Sequence, residues 1–317
     1  MPEFNIFLMH PTSAFHIGER GVGLEATSRM IHSDTLFGAI CWAWRLLHGE
    51  DDLLEMLDQF QRRPPFLISS AFPFIGDVYL LPKPLEGMAS IESNKKVRKA
   101  WLVSRDLFQR MACGNDVNEY EVDMGIVATS GEMERAQTIL ESRPAWTVDE
   151  PPRVTLDRLT MRSEIYHVGE LRFAEGCGLY TIVDFRDASI KKKFEATLRL
   201  LGDEGVGGEK SAGRGMFCVE KRSISIGADK GLKSMLLSLC HPRREEVSAL
   251  RDSSYNLVLR RGWVGISYRK KGLRMLSEGS VIPCGSIMGS ITEVFSTETM
   301  RVYSYGLAFA VAMECGE

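Results

Sequence analysis

The chain has 317 residues, 44% of them apolar and 26% charged, which excludes disordered and collagen-like classes and leaves room for one large folded core or two smaller ones. Its net charge of −3 divides unevenly: residues 1–150 carry 14 basic and 22 acidic side chains, residues 151–317 carry 25 and 20, a pattern suited to two different partners. No apolar run approaches the roughly 18–20 residues of a membrane helix, and "MPEFNIFLMHPTSAF" lacks the basic start and long apolar core of an export signal, so no membrane association and a cytoplasmic location are expected.

In chain order, "FNIFLMH" (4–10) has the length and apolarity of a buried strand. After a loop with glycines at 18, 21 and 23, Leu36, Phe37, Ile40, Cys41, Trp44 and Leu47 recur at helical spacing over 32–49, with Ser33 or Asp34 placed to cap the helix and Gly49 to stop it. A short helix over 51–61 follows. "PFLISSAFPF" and "DVYLLPKPL" then read as strands around a turn near Gly76. Residues 94–111 read as one helix, and 112–150, with weak periodicity, as an insertion. Residues 153–173, carrying Arg153, Arg158, Arg162 and Arg172, alternate as a long two-stranded ribbon. "GLYTIVDF" (178–185) is a strand, 188–203 an amphipathic helix, and "MFCVEKRSISI" (216–226) a strand. Without its insertions this order is β-α-β-β-α-β, the ferredoxin-like pattern of an α+β fold. After 226 a second unit is expected, with a helix at 230–240 and strands at 255–261, 263–269, 285–295 and 302–312.

Between the 188–203 helix and the next strand lies "GVGGEKSAGRGMF" (205–217), five glycines in thirteen residues. Glycine leaves backbone amides unshielded and permits positive φ, the value expected at Gly208, so successive amides can form a concave anion site. Lys210 and Arg214 add charge and Ser211 a hydroxyl; Glu209 has no evident role. The helix-to-strand order excludes a P-loop and a dinucleotide fingerprint, both of which run from strand to helix. The histidines at 10, 16, 32, 48, 167 and 241 form no metal spacing; His16 and His32, flanking the first loop, are the pair that could serve as acid and base in metal-free RNA cleavage. Asp34 and the acidic run 49–58 read as structural. The seven cysteines are scattered, no two within four residues, and read as free thiols. "RRGWVGISYRKKGLRM" (260–275) interleaves six cations with Trp263 and Tyr268, a composition that suits a phosphate backbone and exposed bases as well as a solvated strand pair.

"FHIGERGVGLEATSRMIHSDTLFGAICWAW", "VTLDRLT", "GLYTIVDF", "GVGGEKSAGRGMF" and "GWV…SEGSVI…VYSYGLAFAV", in that order, resemble the fourth-subunit family of the Csm complex, the type III-A CRISPR effector, within the RAMP superfamily. The resemblance spans nearly the whole chain and is weakest over 112–150; "IHSDTLFGAI" and the glycine loop carry most of it. It implies two ferredoxin-like (RRM-like) domains, 1–226 with the insertion and a β-hairpin thumb, and 227–317. It also implies a non-catalytic role: capping the 5′ tag of the crRNA, docking the large polymerase-like subunit and stacking on the backbone RAMP subunit. The positions this matches to RNA are His16, Ser33, Arg158, Arg162, Gly207, Gly208, Lys210, Ser211, Gly213 and Arg214, with no metal or cofactor. The alternatives are a metal-independent RAMP endoribonuclease using His16 or His32, and the equivalent type III-B subunit.

Overall fold

The computed structural model describes residues 1–18, 26–88, 91, 94–115, 117, 119–156, 163–264, 268–298 and 300–314. In chain order, β1 (Glu3–Pro11) is followed by α1 (Ser33–His48), α2 (Glu50–Arg62), β2 (Phe66–Ile68), β3 (Phe72–Ile75) and β4 (Val78–Pro82). Next come α3 (Lys95–Lys99), β5 (Leu102–Ser104), α4 (Arg105–Ala112), β6 (Glu121–Asp123), β7 (Ile126–Ala128) and α5 (Ser130–Leu140). The strands β8 (Trp146–Asp149), β9 (Pro152–Leu156), β10 (Ser163–His167) and β11 (Glu170–Phe173) precede β12 (Cys177–Phe185), α6 (Lys191–Glu204) and β13 (Phe217–Ser225).

These build a nine-stranded sheet in the order β13-β1-β12-β3-β4-β5-β7-β6, with β2 also on β12. The first four positions are antiparallel and carry a β-α-β-β-α-β unit whose strands lie in the order fourth, first, third, second. Ile6, Phe7, Leu8 and Met9 of β1 are all buried, which is why the strand reads as a continuous apolar run. The predicted strand over 65–74 is interrupted at Ser69–Ser70, where Ser70 N–H donates to the Leu237 carbonyl at 2.8 Å and so reaches the C-terminal half. α1 packs beside α6, and Leu36, Phe37, Ile40 and Trp44 share a core with Phe194, Leu198 and Leu201.

Two helical expectations fail. Residues 94–111 split into α3, β5 and α4, because the apolar run around Leu102 and Val103 enters the sheet between β4 and β7, both side chains fully buried; tertiary pairing overrides local propensity. Within residues 112–150, β6 and β7 extend the same sheet outward, and α5 leads from β7 to β8, which pairs with β11 instead. The expected helix at 230–240 is instead β14 (Lys233–Leu236) and loop; a short apolar run has no periodicity to separate a buried strand from a buried helix.

The rest of the C-terminal half is β15 (Leu257–Arg260), β16 (Trp263–Val264), β17 (Tyr268–Arg269), β18 (Leu273–Leu276), β19 (Val281–Pro283), β20 (Gly289–Ser296), β21 (Arg301–Leu307) and β22 (Ala310–Met313). β14 lies between β19 and β22, while β15–β18, β16–β17 and β20–β21 are two-stranded ribbons. Met235, Leu237, Val281, Tyr305, Phe309 and Val311 belong to the same core as β1 and α1. Tyr305 packs on Phe37 at 5.1 Å, and its hydroxyl accepts from Ile68 N–H at 3.0 Å.

The predicted ribbon begins earlier than expected. Trp146 opposes Phe173, Asp149 opposes Glu170, Pro152 opposes His167 and Leu156 opposes Ser163, so one register runs through both pairs of strands. Arg158 and Arg162 lie outside the described residues.

Candidate nucleic-acid interface

Where β1 ends, residues 12–16 form a seam between the glycine loop and the base of the hairpin. Thr12 N–H donates to Met216 O at 3.0 Å, Gly215 N–H to Ala14 O at 2.8 Å and Gly208 N–H to His16 O at 2.8 Å. Phe15 exchanges backbone bonds of 2.9 and 2.8 Å with Leu171 on the other side. His16 is buried in the seam, its Nδ1–H donating to the Gly169 carbonyl at 2.8 Å. This residue, matched to RNA by resemblance, therefore joins loop to hairpin from inside.

Two glycines are explained by the seam. Gly207 has φ +96°, and a Cβ there would overlap the His16 carbonyl oxygen. Gly208 does not have the expected positive φ; its constraint is close approach, a Cβ falling 2.6 Å from His16 Cδ2. Gly207→Ala is expected to lose about 2–4 kcal/mol by combined strain and overlap. Gly213→Ala, at φ +71° with nothing within 4 Å of its Cβ, is expected to lose only about 1 kcal/mol. Urea unfolding of the two variants checks the contrast; equal losses would contradict it.

The loop is only in part the anion nest its composition suggests. The amides of Gly205, Val206, Gly208 and residues 212–216 donate within the fold. Among the described residues, those of Gly207, Glu209, Lys210 and Ser211 are left to meet a ligand. Lys210–Ala212 makes a single 3-10 turn, exposed throughout and closed by Gly213, which is exposed too. Lys210 Nζ lies 5.8 Å from the ring centre of Trp42, an exposed residue of α1.

Arg214 turns inward. Its Nη2 lies 2.6 Å from Glu170 Oε1, which also receives Arg153 Nη2 at 2.6 Å, while Arg172 Nη2 reaches Glu170 Oε2 at 2.5 Å. Glu170 is fully buried. Burial alone would raise its carboxyl, but the hydrogen bond from Arg153 and the charges of Arg214 and Arg172 outweigh it and hold it below the usual carboxylate range. Glu209 completes the cluster, Oε2 standing 4.0 Å from Arg153 Nη1. Three guanidinium groups against two carboxylates leave a net positive charge under the loop, and Arg214 Nε is buried without a hydrogen-bond partner among the described residues.

Ser33 lies elsewhere and is fully buried. Its N–H donates to Ser70 Oγ at 2.8 Å and its Oγ accepts from Leu239 N–H at 3.0 Å, so it ties α1 to the C-terminal half instead of facing a ligand. Neither Ser33 nor Asp34 caps α1, whose N-cap is His32 without a side-chain bond. Asp34 accepts from Arg260 Nε at 2.8 Å and Nη2 at 2.9 Å. His32 Nδ1 lies 2.8 Å from Glu278 Oε1, which also accepts from the Ser70 hydroxyl. His16 and His32 are thus engaged in separate places. Among the described residues no group of three or more His, Cys, Asp or Glu is arranged to hold a metal.

Sequence reasoning missed Trp42, Glu170 and the hairpin pair Val154–Ile165, cross-strand partners 57% and 67% exposed. The available signal was two apolar residues at facing positions of a ribbon with no core to enter.

Residues 229–313 match the family described as the CRISPR Csm4 C-terminal domain. The chain is 32% identical over 288 residues to the CRISPR system Cms protein Csm4 of Thermococcus onnurineus (strain NA1), covering 90% of this chain and 92% of that one. It superposes on a chain of the Csm3–Csm4 subcomplex of the type III-A CRISPR-Cas interference complex with a TM-score of 0.73 at 20% identity, covering 98% and 99% of the two chains. A chain of the Csm1–Csm4 cassette in complex with cA4 gives 0.66 at 23% identity, covering both completely.

Proposed function

Because the chain belongs to the Csm4 family, we propose that it is a non-catalytic subunit of a type III-A CRISPR-Cas effector that holds the 5′ tag of the crRNA at the glycine loop and hairpin base. The carrying observation is the exposed Lys210–Ala212 turn, its amides at Glu209, Lys210 and Ser211 unengaged among the described residues, standing over a cluster of net positive charge gathered on the buried Glu170. Backbone donors and a lysine suit the phosphates of a single strand, and Trp42 offers a face to a base. In this reading both halves are ferredoxin-like units, the 146–173 hairpin is the thumb, and Arg158 and Arg162 meet the guide. Relatives solved as Csm1–Csm4 and Csm3–Csm4 assemblies support docking to the large subunit and to a backbone RAMP subunit.

A nuclease role is not favoured. His16 and His32 are the candidate acid and base; His16 is buried and His32 half-buried, and each has a ring nitrogen engaged by protein. The test is binding by the assembled complex of guide RNA with and without its tag, in EDTA. Preference for the tagged RNA without cleavage is expected; equal affinity removes the tag reading, and cleavage lost in His16→Ala restores the nuclease. Lys210→Ala should reduce the salt slope of binding by about 0.7, one phosphate's share on a single strand. Arg214→Ala should instead act by loosening loop from hairpin, since its charge is already taken by Glu170.

A further inference from the structure

A second strand-pair carries cations and aromatics that the tag site does not use. β15 pairs with β18, and β16 with β17, as one hairpin from Leu257 to Leu276. The register slips by one residue between Arg260–Leu273 and Trp263–Arg269, with a bulge over 270–272 tied down by Lys271 N–H donating to Val294 O at 2.8 Å. Residues 254–276 hold six Lys and Arg and no Asp or Glu. Arg260 is turned inward onto Asp34 and fixes the hairpin to the first turn of α1. Arg261, Arg269, Lys271 and Arg274 are exposed and, among the described residues, none of them is in an ion pair. Leu257, Leu259, Arg261 and Trp263 alternate along the exposed side of the ribbon. The Arg269 guanidinium sits 4.8 Å over the Trp263 ring, and Tyr268 packs on Phe295 at 5.1 Å, both aromatics about half exposed.

We propose that this hairpin is a second single-stranded RNA-binding element, with Arg261, Lys271 and Arg274 on phosphates and Trp263 and Tyr268 as stacking platforms. The exposed cations Arg261, Arg269, Lys271 and Arg274, in no ion pair among the described residues and in a run without acidic side chains, are complementary to a polyanion. Aromatic faces beside that charge supply sequence-tolerant stacking, and Arg269 holds Trp263 in place while its own charge remains available. A strand taken here would follow backbone charge, with little preference among bases.

The element does not depend on the tag reading, so it is tested with a probe lacking a tag. Fluorescence anisotropy of the full chain with a labelled uridine 20-mer is measured across a salt series. Arg261→Ser/Lys271→Ser/Arg274→Ser is expected to lower the log–log salt slope by about 2, at roughly 0.7 per phosphate contact. Trp263→Ala/Tyr268→Ala should weaken binding at least tenfold with the slope unchanged, and Trp263→Phe should recover most of that loss. Lys210→Ala in either background should add its own effect independently, which separates the two surfaces. Absence of binding by the unaltered chain, or wild-type affinity and slope in both multiple variants, overturns the proposal. So does unchanged 20-mer binding joined to lost assembly with partner subunits, which would assign the hairpin to a protein.

Discussion

Glu170→Ala is expected to destabilise the chain by about 2–4 kcal/mol and to release the glycine loop and the hairpin base together. Removing one partner of a buried ion pair typically loses about 3–5 kcal/mol, because the remaining charge is stranded. Three guanidinium groups converge on this one carboxylate, but Arg172 is half exposed and rehydrates, which lowers the figure. Hydrogen exchange should locate the loss in 146–156, 163–173 and 205–216; a uniform loss, or none, contradicts the clamp. The pH dependence has a definite sign. A carboxylate whose folded pKa lies below its unfolded value contributes stability above the ordinary carboxylate pKa, and loses it as pH falls through the depressed value. Glu170→Gln should flatten that acid limb.

The second large effect is expected at the junction of the two halves. Asp34→Ala leaves the buried Arg260 without its bidentate acceptor, a loss of about 3–5 kcal/mol. Asp34→Leu with Arg260→Met should recover part of it, since an apolar pair of similar size replaces the charges; a double variant worse than the sum of both singles would refute a charge-pair account. The neighbouring His32–Glu278 pair adds a pH window. Burial opposes charge on both, but Glu278 and its hydrogen bond raise His32, and His32 lowers Glu278, with Arg260 opposing and Asp34 assisting the histidine's charge. The raised histidine contributes stability that is complete below its ordinary pKa and lost as pH rises through the raised one; the lowered glutamate contributes above its ordinary pKa and fails as pH falls through the depressed one. Stability should therefore be greatest between the carboxylate and imidazole ranges, and His32→Gln should remove the decline on the alkaline side.

Much of the architecture is legible along the chain. The central strand, α1, α2, α6 and the helix-to-strand position of the glycine loop all follow from apolar spacing and punctuation. Residues 94–111 and 230–240 are misread because their apolar runs are short and buried on all sides, so periodicity cannot identify them. For the candidate site, composition picks out the residues but not which way they face. Lys210 and Ser211 face outward, while His16, Ser33 and Arg214 face inward. Local composition selects residues able to contact an anion; it does not reveal that Glu170, on a different strand, has already claimed Arg214. Glu209, without a role in the sequence, gains one from Arg153 across the hairpin.

The unbroken register of the hairpin from Trp146–Phe173 to Leu156–Ser163 restricts how this arm can vary in evolution. Side chains alternate faces at every residue, so a single insertion on one strand would turn Val154 or Ile165 over to the opposite face. Lengthening or shortening the arm without that inversion requires matched changes on both strands, two residues at a time on each. At about 3.3 Å per residue, its reach is thus adjustable in steps of roughly 7 Å, a ruler with coarse graduations whose zero mark is fixed by Glu170.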